Sequence, residues 1–354
     1  MTARVQPETR ASVAGTLALG ALATDGGAVV DGLSAHYRVF GDAAQAGVHG
    51  WIVVFHALTG GAEVDAWWGD LLGPGRALDT ARHAVLAVNL PGSCYGSTSP
   101  RQWRAAGHGA FPALTTRDLA RVHEQVLDHL GVARVALATG GSLGGMVALQ
   151  WGALTSRRVR RLAVLAAPAV TSAQSIAWNV AQRMAIEADP RWQGGAYPPD
   201  QPPGAGLAAA RAIAMITYRS GLEFDARFGR ALSRQGDRLA IDAYLRRHGD
   251  KLVERFEADS YVVLSEVMDR HDVGPIGEAA SATAGRVEEI VGVGVDTDIL
   301  YPAAEVRAWV DAYRQHGANA VYREIRSICG HDAFLIELDQ VSEILAPGSG
   351  RTPS

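Results

Sequence analysis

The segment Gly140-Gly141-Ser142-Leu143-Gly144 sets a serine among glycines in the pattern G-x-S-x-G. The apolar run 135–139 precedes it, and Met146, Val147, Leu149 and Trp151 follow at helical spacing. The serine therefore falls on a strand-to-helix turn. Such a turn strains the serine backbone and leaves no room for side chains two residues to either side. It also brings a helix N-terminus, with free N–H groups and a positive dipole end, to where negative charge would develop beside the hydroxyl. A serine hydroxyl is a weak nucleophile and needs a base held by a third group. Among the 11 histidines, His331 is best placed as that base. It follows the last strand-like run and opens a helical pattern, so a sheet would deliver it to the serine's edge. The acid should precede it in the chain. Asp296 and Asp298 both follow the strand-like run 290–295, and residue chemistry leaves both open. The oxyanion formed by attack on a carbonyl needs two N–H donors. Leu143 supplies one. Leu58, in the loop His56-Ala57-Leu58-Thr59-Gly60-Gly61 after run 51–55, is assigned the other. His56 itself reads as a packing residue.

The elements that must position these groups follow from periodicity. Continuous apolar runs at 51–55, 84–88, 135–139 and 162–166 predict strands covered on both faces, which is the pattern of a parallel sheet. Residues 116–130 carry apolar positions at helical spacing, and Gly131 follows as a cap. From about residue 171 to residue 284 the patterns are almost purely helical, at 173–188, 206–219, 222–234, 239–247 and 250–268. Strand character returns at 290–293 and 320–322, with helices at 303–316 and 333–345. The reading is an α/β core of residues 1–170 and 288–354, interrupted by a helical insertion, 171–287.

Composition excludes several classes. With 48% hydrophobic and 20% charged residues, the chain has enough apolar side chains for a sizeable core. A net charge of −4 with no polybasic run argues against nucleic-acid and membrane-surface partners. No segment reaches the roughly 18 uninterrupted apolar residues of a membrane helix. Arg4 and Arg10 before the apolar stretch 11–23 resemble a signal peptide. Glu8 among them and the turn residues Asp25-Gly26-Gly27 favour an opening hairpin instead. Two cysteines, Cys94 and Cys329, make no disulfide framework, and no Cys/His spacing fits a metal site. A reducing cytoplasm is the expected compartment. The residues from Pro347 read as a frayed tail.

Taken together, ordered blocks along the chain resemble the homoserine O-acetyltransferase family. They are His56-Ala57-Leu58-Thr59-Gly60, Cys94-Tyr95-Gly96-Ser97-Thr98, Phe111-Pro112, Thr116-Arg117-Asp118, Gly140 to Met146, Asp298 with Leu300-Tyr301-Pro302, and Gly330-His331-Asp332-Ala333-Phe334-Leu335. Within the helical part, Gly206-Leu207-Ala208-Ala209-Ala210-Arg211, Ile216-Thr217-Tyr218, Phe228-Gly229-Arg230 and Gly249-Asp250-Lys251 also match. The resemblance implies an α/β-hydrolase fold whose helical insertion, in the second half, is a lid. It implies an acyltransferase of methionine biosynthesis with Ser142 as nucleophile, His331 as base and, of the two aspartates, Asp298 as acid. The acyl group, acetyl or succinyl, would pass from acyl-CoA through an acyl-Ser142 intermediate to the hydroxyl of homoserine or a related acceptor. Arg211 would take the acceptor's carboxylate and Asp332 its ammonium. Tyr218, seven residues after Arg211, shares its helix face. The resemblance further implies a homodimer, acyl-CoA as co-substrate and no bound cofactor. An ester hydrolase on the same triad is the alternative. The sequence departs from the family at Gly61-Ala62-Glu63, at Pro91 with Gly92-Ser93-Cys94, and at Ser327-Ile328-Cys329, all on the pocket rim.

Overall fold

The buried aliphatic runs form one eight-stranded sheet. The computed structural model describes residues 12–346; the segment with Arg4, Glu8 and Arg10 and the tail from Pro347 lie outside the described residues. The strands are β1 (Ser12–Ala18), β2 (Ser34–Phe40), β3 (Trp51–Phe55), β4 (Val85–Val88), β5 (Arg134–Gly141), β6 (Arg158–Leu165), β7 (Val287–Val295) and β8 (Ala320–Ile325). Their spatial order is β1-β2-β4-β3-β5-β6-β7-β8. β2 runs antiparallel to both β1 and β4, and the rest of the sheet is parallel. Val53, Val54, Ala138, Leu162 and Val291 in the central strands have no exposed surface, because helices cover both faces. The opening hairpin pairs only Leu22–Ala23 with Val29–Val30; β1 itself pairs with β2.

Helix α1 (Thr116–His129) starts at a capping box between Thr115 and Asp118. It ends before Gly131, whose φ of 63° is left-handed. Helix α2 (Leu143–Leu154) is buried around its whole first two turns, which suits its uniformly apolar sequence. Between β6 and β7 come α3 (Ala173–Glu187), α4 (Gly204–Tyr218), α5 (Gly221–Arg227), α6 (Ala240–Val253), α7 (Ala258–Asp269) and α8 (Ile276–Ala284). α9 (Ala303–Gln315) follows β7. α4 packs between α3 and α6, whereas α8 lies against α2 and α9. The last helix is thus a crossover helix of the sheet. It falls within the expected insertion, 171–287, but packs on the core rather than on the other helices of that segment.

Other boundaries also move. The pattern 222–234 is helical only to Arg227, because Gly229 takes a φ of 47° and Leu232 bridges to Leu239. The break expected near residue 248 falls between Val253 and Ala258. The pattern 333–345 divides into Ala333–Ile336 and Leu338–Leu345 at Glu337.

Because the central strands are parallel, their C-terminal ends share one edge. The loop with Leu58 follows β3 there, Ser142 follows β5, Asp298 follows β7 and His331 follows β8.

Gly292 of β7 meets α9 closely: a Cβ there would sit 2.2 Å from Val310 Cγ2 and 2.8 Å from the Trp309 ring. Gly292→Ala is expected to destabilise the fold by about 1–3 kcal/mol. Chemical denaturation should show a lower midpoint with an unchanged slope.

Candidate active site

Ser142 has φ 57° and ψ −128°, a conformation costly for a side chain with a Cβ. Two bonds hold it: its N–H donates to Leu165 O at 3.0 Å, and its carbonyl accepts from Met146 N–H at 3.0 Å. The glycines around it are required by contact. A Cβ on Gly144 would lie 2.1 Å from Phe55 O, and one on Gly140 would lie 2.7 Å from both Phe55 O and the Gly144 backbone. The first turn of α2 therefore rests directly on the end of β3.

His331 sits in a short 3-10 turn, Gly330–Asp332. Its Nδ1 lies 2.6 Å from Asp298 Oδ2. The other oxygen, Asp298 Oδ1, accepts from Leu300 N–H at 2.8 Å and Tyr301 N–H at 3.0 Å. The carboxylate is thereby fixed, and Nδ1 is the protonated nitrogen of a neutral ring beside it. Asp296 faces elsewhere: its Oδ1 accepts from Ser327 N–H and braces the β7 and β8 loops. Geometry separates the two aspartates that sequence chemistry left open. Burial opposes charge on the imidazole, but the charge and hydrogen bond of Asp298 together with the charge of Asp332 outweigh it and raise the His331 pKa above its ordinary 6.5. Tyr218, Tyr301 and Phe334 surround the ring, with centroids 5.8, 5.3 and 5.6 Å away. The buried Nε2 has no hydrogen-bond partner among the described residues. Ser142 and His331 line the same cavity of about 190 Å³.

The N–H groups of Leu58 and Leu143 donate to no acceptor among the described residues. Leu58 lies in a turn closed by Gly60 N–H to Ala57 O at 2.9 Å, and it lines the cavity. His56 is a packing residue. Its Nδ1 meets Ala57 O at 2.8 Å and its Nε2 accepts from Leu90 N–H at 3.1 Å. Burial lowers its pKa to about 4, so the ring is neutral.

The helical insertion contributes the cavity's other wall through Arg211, Tyr218 and Arg255. The Arg211 guanidinium lies 5.2 Å from the Tyr218 ring centroid and has no ion-pair partner among the described residues. The shared helix face expected for these two is thus present. Asp332 also lines the cavity, but its Oδ2 is 3.1 Å from Arg219 Nη2. Two arginines here were not singled out from the sequence. Arg219 pairs with Asp332 and Glu223. Arg255 donates to Thr59 O at 2.9 Å and Tyr95 OH at 2.5 Å. Only the i,i+4 spacing of Arg219 and Glu223 is a local signal; the other partners are remote in sequence. Cys94 and Cys329 are both free thiols, and burial pushes Cys94 up to about 11. Among the described residues no cluster of three His, Cys, Asp or Glu side chains is arranged to hold a metal ion. No helix there is long and apolar enough to cross a membrane.

Comparisons with known proteins fit this arrangement. Residues 50–265 match the family described as alpha/beta hydrolase fold. The homoserine O-acetyltransferase of Salinibacter ruber is 42% identical over 342 residues, covering 94% of this chain and 96% of that protein. The crystal structure of homoserine O-acetyltransferase from Bacillus anthracis superposes with a TM-score of 0.84 at 20% identity, covering 97% and 99% of the two chains. That of esterase E22 gives 0.82 at 18% identity, covering 95% and 99%. At these identities the two structures speak for the fold alone.

The raised pKa of His331 has a sign that can be read directly. A histidine whose folded pKa lies above its unfolded value adds stability below the unfolded pKa, near 6.5. That stability is lost as pH rises through the folded pKa. NMR titration of the imidazole should give a midpoint above 6.5. Asp298→Asn should lower it.

Proposed function

Since the chain belongs to the homoserine O-acetyltransferase family of α/β hydrolases, and is by that membership an O-acyltransferase, we propose that it transfers an acetyl group from acetyl-CoA to the hydroxyl of homoserine. Succinyl-CoA is the other candidate donor. The observation that carries this reading is the line from Asp298 through His331 into the cavity that Ser142 lines.

In this reading His331 Nε2 takes the proton of Ser142 Oγ as the oxygen attacks the thioester carbonyl. The N–H groups of Leu58 and Leu143 receive the oxyanion, and loss of one such donor typically costs about 10²–10³ in rate. The C–S bond breaks, the thiol leaves with the proton from His331, and Ser142 holds the acyl group. The acceptor hydroxyl then gives its proton to the same nitrogen and attacks the ester. Ser142 leaves and recovers its proton. Asp298 orients the imidazole and balances its positive charge in both halves. Arg211, a cation without an acidic partner in the cavity wall, binds the acceptor's carboxylate, and Asp332 its ammonium. The insertion acts as a lid that limits water, which would otherwise discharge the acyl-enzyme.

The alternative, an esterase, uses the same triad and differs only in what discharges Ser142. Incubation with acetyl-CoA should add one acetyl group to the protein by mass, and homoserine should remove it much faster than buffer does. Discharge at the same rate without homoserine would make the enzyme a hydrolase. Ser142→Ala should abolish the added mass and cut turnover by roughly 10⁴-fold or more; near-normal turnover would overturn the mechanism.

We also propose a homodimer formed through the insertion. It exposes the large apolar side chains Ile216, Leu222, Leu232 and Leu239, which an interface would cover. Light scattering should give twice the chain mass, and Leu222→Asp with Leu232→Asp should return it to that of one chain.

A further inference from the structure

Asp332 has two carboxylate oxygens with different surroundings. Oδ2 meets Arg219 Nη2 at 3.1 Å. Oδ1 has no hydrogen-bond partner among the described residues, and the side chain lines the cavity beside Arg211 and His331. Arg219 is itself held from behind. Its Nη1 lies 3.2 Å from both oxygens of Glu223, and Glu223 also pairs with Arg227 at 3.2 Å. Charges therefore alternate Arg227, Glu223, Arg219, Asp332 from the surface of the insertion to the cavity.

The backbone next to this chain of charges is clamped too. A Cβ on Gly330, whose φ is 67°, would come within 2.7 Å of Ser220 N and 2.9 Å of the Arg219 carbonyl carbon. Ser220 Oγ donates to Ile328 O and accepts from Glu223 N–H at 3.1 Å, capping α5. The segment Arg219-Ser220 thus grips the turn that carries His331 and Asp332 from both sides.

We infer that Arg219 is a positioning residue for the acyl acceptor, holding Asp332 by one oxygen so that the other faces the acceptor's ammonium group. The inference rests on the reading above that the acceptor is an amino acid whose ammonium meets Asp332. Burial raises the Asp332 pKa, while Arg219, Arg211 and His331 act to lower it and Glu223 to raise it. Without Arg219 the carboxyl would lose both its orientation and its strongest charge partner, and a protonated or turned carboxyl does not hold a cation. Arg211 faces the opposite charge of the same acceptor, so the carboxylate contact would survive.

The test compares homoserine with 4-hydroxybutanoate, the same alcohol and carboxylate without the ammonium. Both are offered to enzyme charged from acetyl-CoA. The wild type should favour homoserine. Arg219→Gln should raise the KM for homoserine by about tenfold or more, change kcat far less, and leave the KM for 4-hydroxybutanoate nearly unchanged. Arg219→Lys should restore part of the preference. A general loss of structure would weaken both acceptors together, and that result would overturn the inference. So would a homoserine KM that stays constant or falls in Arg219→Gln, since Arg219 would then be idle or a competitor of the ammonium. A wild type that does not discriminate the two acceptors would refute instead the assignment of Asp332 to the ammonium.

Discussion

The first turn of α2 touches the end of β3 with no space between the two backbones. Phe55 O stands where a side chain on Gly144 would begin. This contact fixes how sharply the chain turns after β5, and the turn in turn forces Ser142 to its positive φ. It also fixes where α2 begins, at Leu143. One close approach between a helix and a strand therefore sets where Ser142 and the first N–H of α2 stand. The sheet must be parallel here, because only parallel strands bring the ends of β3 and β5 to one edge.

Around that edge, charge is distributed so that one buried group can gain and lose a proton. Asp298 is fixed by two backbone N–H groups and meets the imidazole. The walls of the histidine are aromatic, which keeps water away and strengthens the Asp298 interaction. His56, only two residues from Leu58, has both ring nitrogens committed to the backbone and stays neutral. Two buried histidines thus behave in opposite ways according to whether a carboxylate or a carbonyl is the neighbour.

The parts that were readable from the chain are those whose physics is local. Glycines crowding Ser142, apolar runs for the covered strands and the cap at Gly131 each depend on a few adjacent residues. Asp296 and Asp298 were not separable by local chemistry, because both follow β7 and differ only in which side of one loop they face. Arg219 and Arg255 were invisible because their partners Asp332, Thr59 and Tyr95 are neighbours only after folding. The helical patterns read from the sequence within the insertion end at residue 268, and α8, a short Ala-rich helix from Ile276 to Ala284, was not among them. The family resemblance settled Asp298 and pointed to Arg211, and it carried no information on the ion pairs behind them.

The grip of Arg219-Ser220 on the His331 turn joins segments separated by 108 residues at the Ser220–Ile328 contact, while β7 and β8 can pair with β6 only once the whole insertion has been made. Contacts of such long sequence separation form late, after the loops that close them have been ordered. In synthesis the segment that carries Ser142 is complete long before the one that carries His331, so the Asp298–His331 pair can meet the serine's turn only after the whole insertion has been made.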